Sequence, residues 1–127
     1  MKKLDTIQKV GKLNDVYVVD EKGPGNANHQ YIVVNKKDID IDITELNNVI
    51  GEITFQKGPR ALEESQHGVL DVDLLEICRD RLKGFQSGDF ACEENQKALE
   101  HIEIALMYLN KRVEDRHFRN VLGTYEK

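Results

Sequence analysis

Apolar and polar positions alternate with two different periods along this chain, and the period changes near its middle. Residues 13–20, LNDVYVVD, are rich in β-branched side chains and Tyr and predict a strand, as does HQYIVVN at 29–35. Between them GPGNAN (23–28) carries two glycines, a proline and two asparagines, so it predicts a turn that pairs the two strands as an antiparallel hairpin. KKDIDIDITEL (36–46) alternates acidic and apolar residues, with Asp38, Asp40 and Asp42 on one face and Ile39, Ile41 and Ile43 on the other. A period of two predicts an extended segment with one wet face. The intervening isoleucines, and the lack of the Gly and closing Glu of a calcium loop, speak against metal binding there. NVIGEITFQKG (48–58) predicts a further strand, closed by a turn at GPR (58–60).

Helical spacing then takes over. In LDVDLLEICRDRLKGF the apolar residues fall at 74, 75, 78, 82 and 85. Asp71 is the expected N-cap, and Gly88 the expected C-terminal stop. A longer helix is predicted from about Glu93 to Arg119, with an apolar stripe of Ala98, Leu99, Ile102, Ala105, Leu106, Leu109 and Val113. Its acidic start and basic end, with Lys111, Arg112, Arg116 and Arg119, suit the helix dipole. The short link makes the helices antiparallel neighbours. The predicted fold is α+β, a small N-terminal antiparallel β-sheet (1–60), a polar linker (61–69) and a C-terminal antiparallel helical hairpin (70–127), within a single domain. So small a sheet and only two helices leave apolar faces that call for a partner chain.

Composition narrows the function classes. A chain of 127 residues with 39% hydrophobic and 32% charged residues suits one folded domain. Its net charge of −5 argues against a broad DNA or RNA surface, but two or three local arginines suffice for a small anion. No window approaches the ~20 apolar residues of a membrane span, and the N-terminal MKKLDTIQKVGKL lacks the apolar core of a signal peptide. A cytoplasmic location is expected. Cys78 and Cys92 match no zinc or redox spacing and are expected to be reduced and mostly buried.

Recognisable catalytic motifs are missing. His29, His67, His101 and His117 fall in no metal-ligand spacing, and GPGNAN opens no helix, so a dinucleotide-binding reading is weak. No catalytic residue, metal or cofactor is assigned. The hairpin is more informative. Phe85 lies between Gly84 and Gly88, where the backbone turns, and either plugs the tip or stacks on a base; Phe90 is expected to plug it. Arg112 and Arg116 are four apart and share a helical face. They are either two solvated arginines or a grip for a pyrophosphate or base.

The stretch 68–127, with DLLEICRDRL, then GFQSG, FAC and EN, then ALMYLNKR and EDR, resembles the helical hairpin of phage immune-evasion sponges. With GEITFQKGPR (51–60) before it, the chain is similar to the Thoeris anti-defence protein 1 family; the first 45 residues match it only in general character. This resemblance implies sequestration, without cleavage, of glycocyclic ADP-ribose (the 1''-3' or 1''-2' isomer), the signal made by TIR-domain Thoeris proteins, in the cytoplasm of the infected bacterial host. It implies that Phe85 stacks on the base, Asn95 makes a polar contact, and Arg112 and Arg116 grip base and phosphates. It further implies a homodimer or a hexamer built as a trimer of dimers. A second site for the cyclic di- or trinucleotides of CBASS immunity would involve Gly58 and Arg60.

A helix ruler adds one constraint. Asn95 and Arg112 are 17 residues apart, which is about 25 Å at 1.5 Å per residue, roughly twice the length of such a ligand. One chain cannot bring both to one pocket, whereas two antiparallel chains can. Two other readings stay open: an enzyme that hydrolyses a cyclic nucleotide with His117 or Glu114 beside Arg116, and a phage structural protein that oligomerises through its hairpin.

Overall fold

The computed structural model describes residues 1–36 and 48–127. The expected strand with Asp38, Asp40 and Asp42 lies outside the described residues. The chain divides into two compact units, Met1–Lys57 with Gln66–Gly68, and Gly58–Ser65 with Val69–Lys127.

The first unit is an antiparallel meander of β1 (Lys2–Lys3), β2 (Asn14–Val18), β3 (Gln30–Asn35) and β4 (Val49–Thr54), ordered β1-β2-β3-β4. Val18 pairs with Tyr31 and Tyr31 with Ile53, while Val16 pairs with Val33 and Val33 with Gly51. Cross-strand partners share a face, so these residues form one apolar surface, and Phe55 packs edge-on to Tyr31 with ring centroids 5.7 Å apart. Among the described residues, Val18 and Ile32 are the buried apolar residues of this unit. The register slips at Val33/Val34.

The β2–β3 turn is built around Asp20. Its carboxylate accepts the backbone N–H of His29 at 3.0 Å and of Gln30 at 3.2 Å, and its carbonyl accepts the Asn28 amide at 2.8 Å. Burial opposes ionisation of this carboxyl, but the His29 and Gln30 N–H groups, the Asn28 amide and the Lys57 charge together hold its pKa below the usual value. Gly25 at φ 74° and Asn26 at φ 62° take the left-handed conformation that reverses the chain.

The second unit contains α1 (Asp71–Gln86) and α2 (Glu93–Phe118). Helix α1 starts one residue earlier than expected: Leu70 is the N-cap, and its N–H donates to the Asp73 carboxylate at 2.8 Å. The acidic side chain three residues into the helix thus satisfies the capping N–H, and Asp71 occupies the first turn. Helix α1 ends at Gln86, within the expected QSG stretch; Ser87 caps it in a right-handed conformation, its hydroxyl donating to the Gly84 carbonyl at 2.6 Å, and Gly88 follows without turning left-handed. Helix α2 ends instead on Asn120 at φ 63°, with Val121 N–H donating to Arg116 O at 3.0 Å and Asn120 N–H to His117 O at 3.1 Å. These are the two bonds of a Schellman cap, which turns the chain back on itself.

The helices pack through Leu74, Leu75 and Leu82 on α1, and Leu99, Ile102, Leu106 and Leu109 on α2; of these Leu99 is buried and the others are half-buried. Arg79 Nε bridges the hairpin to Glu103 at 2.8 Å, and its Nη1 reaches Glu76 at 3.4 Å. The Glu103 hydrogen bond raises the already high pKa of Arg79, so this link stays charged. Three expectations fail. Cys78 and Cys92 are both exposed, and Phe90 is 79% exposed rather than plugging the tip. Two helices side by side bury one stripe each, which leaves the flanks of α1 and the whole tip outside. Ile77, Ile104, Met107 and Tyr108 are exposed as well. Among the described residues, no helix is long and apolar enough to cross a membrane.

Candidate functional site

Three regions of the helical unit hold the residues singled out by sequence, the first being the hairpin tip. The six-residue connection between α1 and α2 is clamped by the side-chain amide of Gln86. Its Nε2 donates to Cys92 O at 3.1 Å and its Oε1 accepts Cys92 N–H at 3.0 Å. One amide therefore satisfies both backbone groups of the residue that opens α2, and fixes the end of one helix against the start of the next. Phe85 and Asn95 flank this clamp. Phe85 is 42% exposed, and the Arg81 guanidinium carbon lies 5.6 Å from its ring centroid. The cation rests on the ring as a cation–π pair, and the ring's remaining surface is open to solvent. Asn95 is half-buried and its amide has no hydrogen-bond partner among the described residues. An open aromatic face and an uncommitted amide are what a planar base needs.

The second region is the last two turns of α2. Arg112 is exposed and makes no hydrogen bond or ion pair among the described residues, so its guanidinium is available. Arg116 is different: it is 9% exposed, and its guanidinium donates to Val121 O and Thr124 O, each at 3.1 Å, and to Glu126 O. The two arginines share a helical face but not a state. Helix α2 is continuous from Glu93 to Phe118, so Asn95 and Arg112 lie on one unbroken rod. The axial separation of about 25 Å therefore holds, and one chain does not bring the tip and Arg112 together. Glu114 accepts from the Asn110 amide at 3.2 Å, and His117 packs against Phe118 at 5.7 Å between centroids.

The third region is a cleft of about 800 Å³ between α1, α2 and the loop at 58–65, lined in part by Arg60, Asp73, Glu76, Arg79, Glu103 and Asn110. Gly58 enters the loop at φ 90°, and a Cβ there would lie 2.5 Å from Ser65 Oγ, so only glycine fits. Pro59 is buried and Arg60 is exposed. The structure thus separates the six predicted residues into three groups: Phe85 with Asn95, Arg112 with Arg116, and Gly58 with Arg60. Sequence reasoning missed Gln86, Arg81 and Arg79. The spacing of Arg81 and Phe85, and of Glu76 and Arg79, was a usable helical signal; nothing local marks Gln86. Among the described residues no cluster of His, Cys, Asp and Glu could hold a metal ion.

Residues 47–114 match the family model described as Acb2/Tad1, hairpin domain. The match includes Gly58, Arg60, Phe85, Asn95 and Arg112, and stops two residues short of Arg116. A relative named Thoeris anti-defense 1, from Bacillus phage SBSphiJ7, is 38% identical over 87 residues, which are 68% of this chain and 61% of the relative. The chain therefore matches less than two thirds of that relative's length. With more than half its length in the hairpin-domain model, the chain belongs to the Acb2/Tad1 hairpin family of Thoeris anti-defence proteins.

Proposed function

We propose that the protein disarms Thoeris immunity by sequestering glycocyclic ADP-ribose without cleaving it, in the cytoplasm of the infected host. The observation that carries this reading is a hairpin of the matching family whose tip presents an open aromatic ring and a free amide, with a free guanidinium at the far end of α2. In the proposed pocket Phe85 stacks on the base, Asn95 reads a polar edge, and Arg112 of a second copy holds the phosphates. Arg116, the fourth proposed contact, reaches the ligand by exchanging backbone carbonyls for phosphate oxygens. The pocket is a property of a homodimer, or of a hexamer assembled from three such dimers, and twofold symmetry makes two equivalent pockets per dimer. The exposed Ile77, Ile104, Met107 and Tyr108 supply apolar surface for that pairing. The Arg60 cleft is the proposed separate site for a cyclic di- or trinucleotide of CBASS immunity.

Sequestration consumes one site per ligand, so it must outcompete a receptor. That requires nanomolar Kd, about −12 kcal/mol. A base stack supplies ~1–3 kcal/mol, charge-assisted phosphate bonds add to it, and enclosure between two preorganised chains supplies the rest. Mixing tests the shared pocket. Phe85→Ala and Arg112→Ala homodimers each bind weakly. After subunit exchange, a mixed dimer has one pocket with both defects and one intact pocket. Tight binding returns in a minority of sites; failure of any tight binding to return, with exchange verified, refutes the shared pocket.

A further inference from the structure

Arg116 holds more than its own helix. Past the Schellman cap, residues 121–126 run back along the helical unit, and the Arg116 guanidinium collects three of their carbonyls, those of Val121, Thr124 and Glu126. The middle of the same segment touches the loop at 58–65. Ala61 N–H donates to Gly123 O at 3.2 Å. Gly123 has φ 78°, and a Cβ there would lie 3.0 Å from Arg60 Cγ and 3.2 Å from Ala61 N. The conformation favours glycine, and the approach is close enough that a larger side chain would press on Arg60 and Ala61. Arg60 in turn lines the cleft beside Arg79. Arg79 is paired to Glu76 and Glu103, whereas Arg60 has no hydrogen bond or ion pair among the described residues. Arg60 is therefore the cleft's uncommitted cation, and a stem packed against Gly123 determines where its guanidinium starts from.

We propose that Arg116 is a positioning residue for Arg60, acting through the 121–126 segment as a strut. This rests on the reading that Arg60 holds an anionic cyclic nucleotide in the cleft. A planar guanidinium suits the task, because its fixed fork of donors addresses several carbonyls at once, which an ammonium on a flexible stem does not. Without it, three carbonyls of the segment lose the guanidinium that gathers them, and the Gly123–Ala61 contact loses its backing. Of the two arginines four apart on α2, Arg112 is free to face the signal, whereas Arg116, until it exchanges carbonyls for phosphate, holds the segment that shapes the second site.

The test uses the full chain in two arms. In the first, amide hydrogen exchange is compared between wild type, Arg116→Gln and Gly123→Val. Exchange at Ala61 accelerates by about tenfold or more in both variants while Leu99 stays protected. Unchanged Ala61 exchange overturns the strut. In the second arm, cyclic triadenylate is titrated into wild type, Arg60→Gln, Arg116→Gln and the double variant. Arg116→Gln weakens binding by about tenfold in the wild-type background and has no further effect once Arg60 is gone. Additive losses overturn the proposal, because they mean that Arg116 acts independently of Arg60. Arg116→Lys, which keeps the charge but not the fork, behaves like Arg116→Gln; full rescue by Lys contradicts the strut. If wild type does not bind the probe, or Arg60→Gln binds as wild type does, the reading of Arg60 as a ligand group fails, and the exchange arm alone decides the strut.

Discussion

Replacing Gln86 with Ala should loosen the hairpin tip without unfolding the hairpin. The side-chain amide makes two well-formed bonds to Cys92, at 3.1 and 3.0 Å, and a marginal third contact to Gln96 at 3.4 Å. A net hydrogen bond is worth ~0.5–1.5 kcal/mol, and partial exposure favours the low end, so the pair contributes about 1–2 kcal/mol. That raises local opening of the tip about 5- to 30-fold. The Cys92 N–H reports it directly, since Gln86 Oε1 is its acceptor. Amide exchange at Cys92 should accelerate by that factor, while Leu99, deep in the helix pair, keeps its protection. Gln86→Glu retains the acceptor and loses the donor, so its Cys92 exchange falls between wild type and Gln86→Ala. Glycocyclic ADP-ribose affinity should drop by a similar factor, because Phe85 and Asn95 flank the clamp. Cys92 exchange at the wild-type rate in Gln86→Ala would refute the clamp.

Leu99→Ala truncates the buried leucine of the α2 stripe and should destabilise the helical unit by about 2–4 kcal/mol in urea unfolding; a loss below that range means the stripe is not the unit's core. Asp20 has a folded-state pKa below the ordinary 3.8, so its contribution to the sheet is present above that pH and is lost as pH falls through the folded value. Asp20→Asn should flatten the acid limb of the sheet's stability profile, and an unaltered limb contradicts the role of this carboxylate. Phe85→Ala and Arg112→Ala should each weaken binding of the signal by at least about tenfold in calorimetry; unchanged affinity in both removes the tip and the α2 end from the site.

Elements with a clear period were legible in the sequence. The alternation of Gly51, Ile53 and Phe55 against Glu52 and Thr54 predicts the inward face that β4 presents, and the Leu99–Leu109 stripe predicts the packed side of α2. End effects were harder. Asp71 and Leu70 differ by one residue as caps because the deciding bond comes from Asp73, a choice between equivalent local geometries. The apolar side chains of Phe90 and the cysteines predict burial, but a two-helix unit has too little interior for them. The state of Arg116 was out of reach altogether. Its spacing from Arg112 places it on a helical face, and only the fold-back after Asn120 decides that three carbonyls meet it there. Gln86 was invisible for a similar reason, since its partner Cys92 is brought to it by the turn.

The central claim is capture without chemistry. The most direct measurement titrates the full chain with glycocyclic ADP-ribose by calorimetry, denatures the saturated protein and identifies what is released. Capture predicts saturable binding with nanomolar Kd, one ligand per chain, and recovery of the intact cyclic molecule in the amount bound. A linear or otherwise altered product in the released fraction, or no heat of binding at micromolar protein, would contradict it.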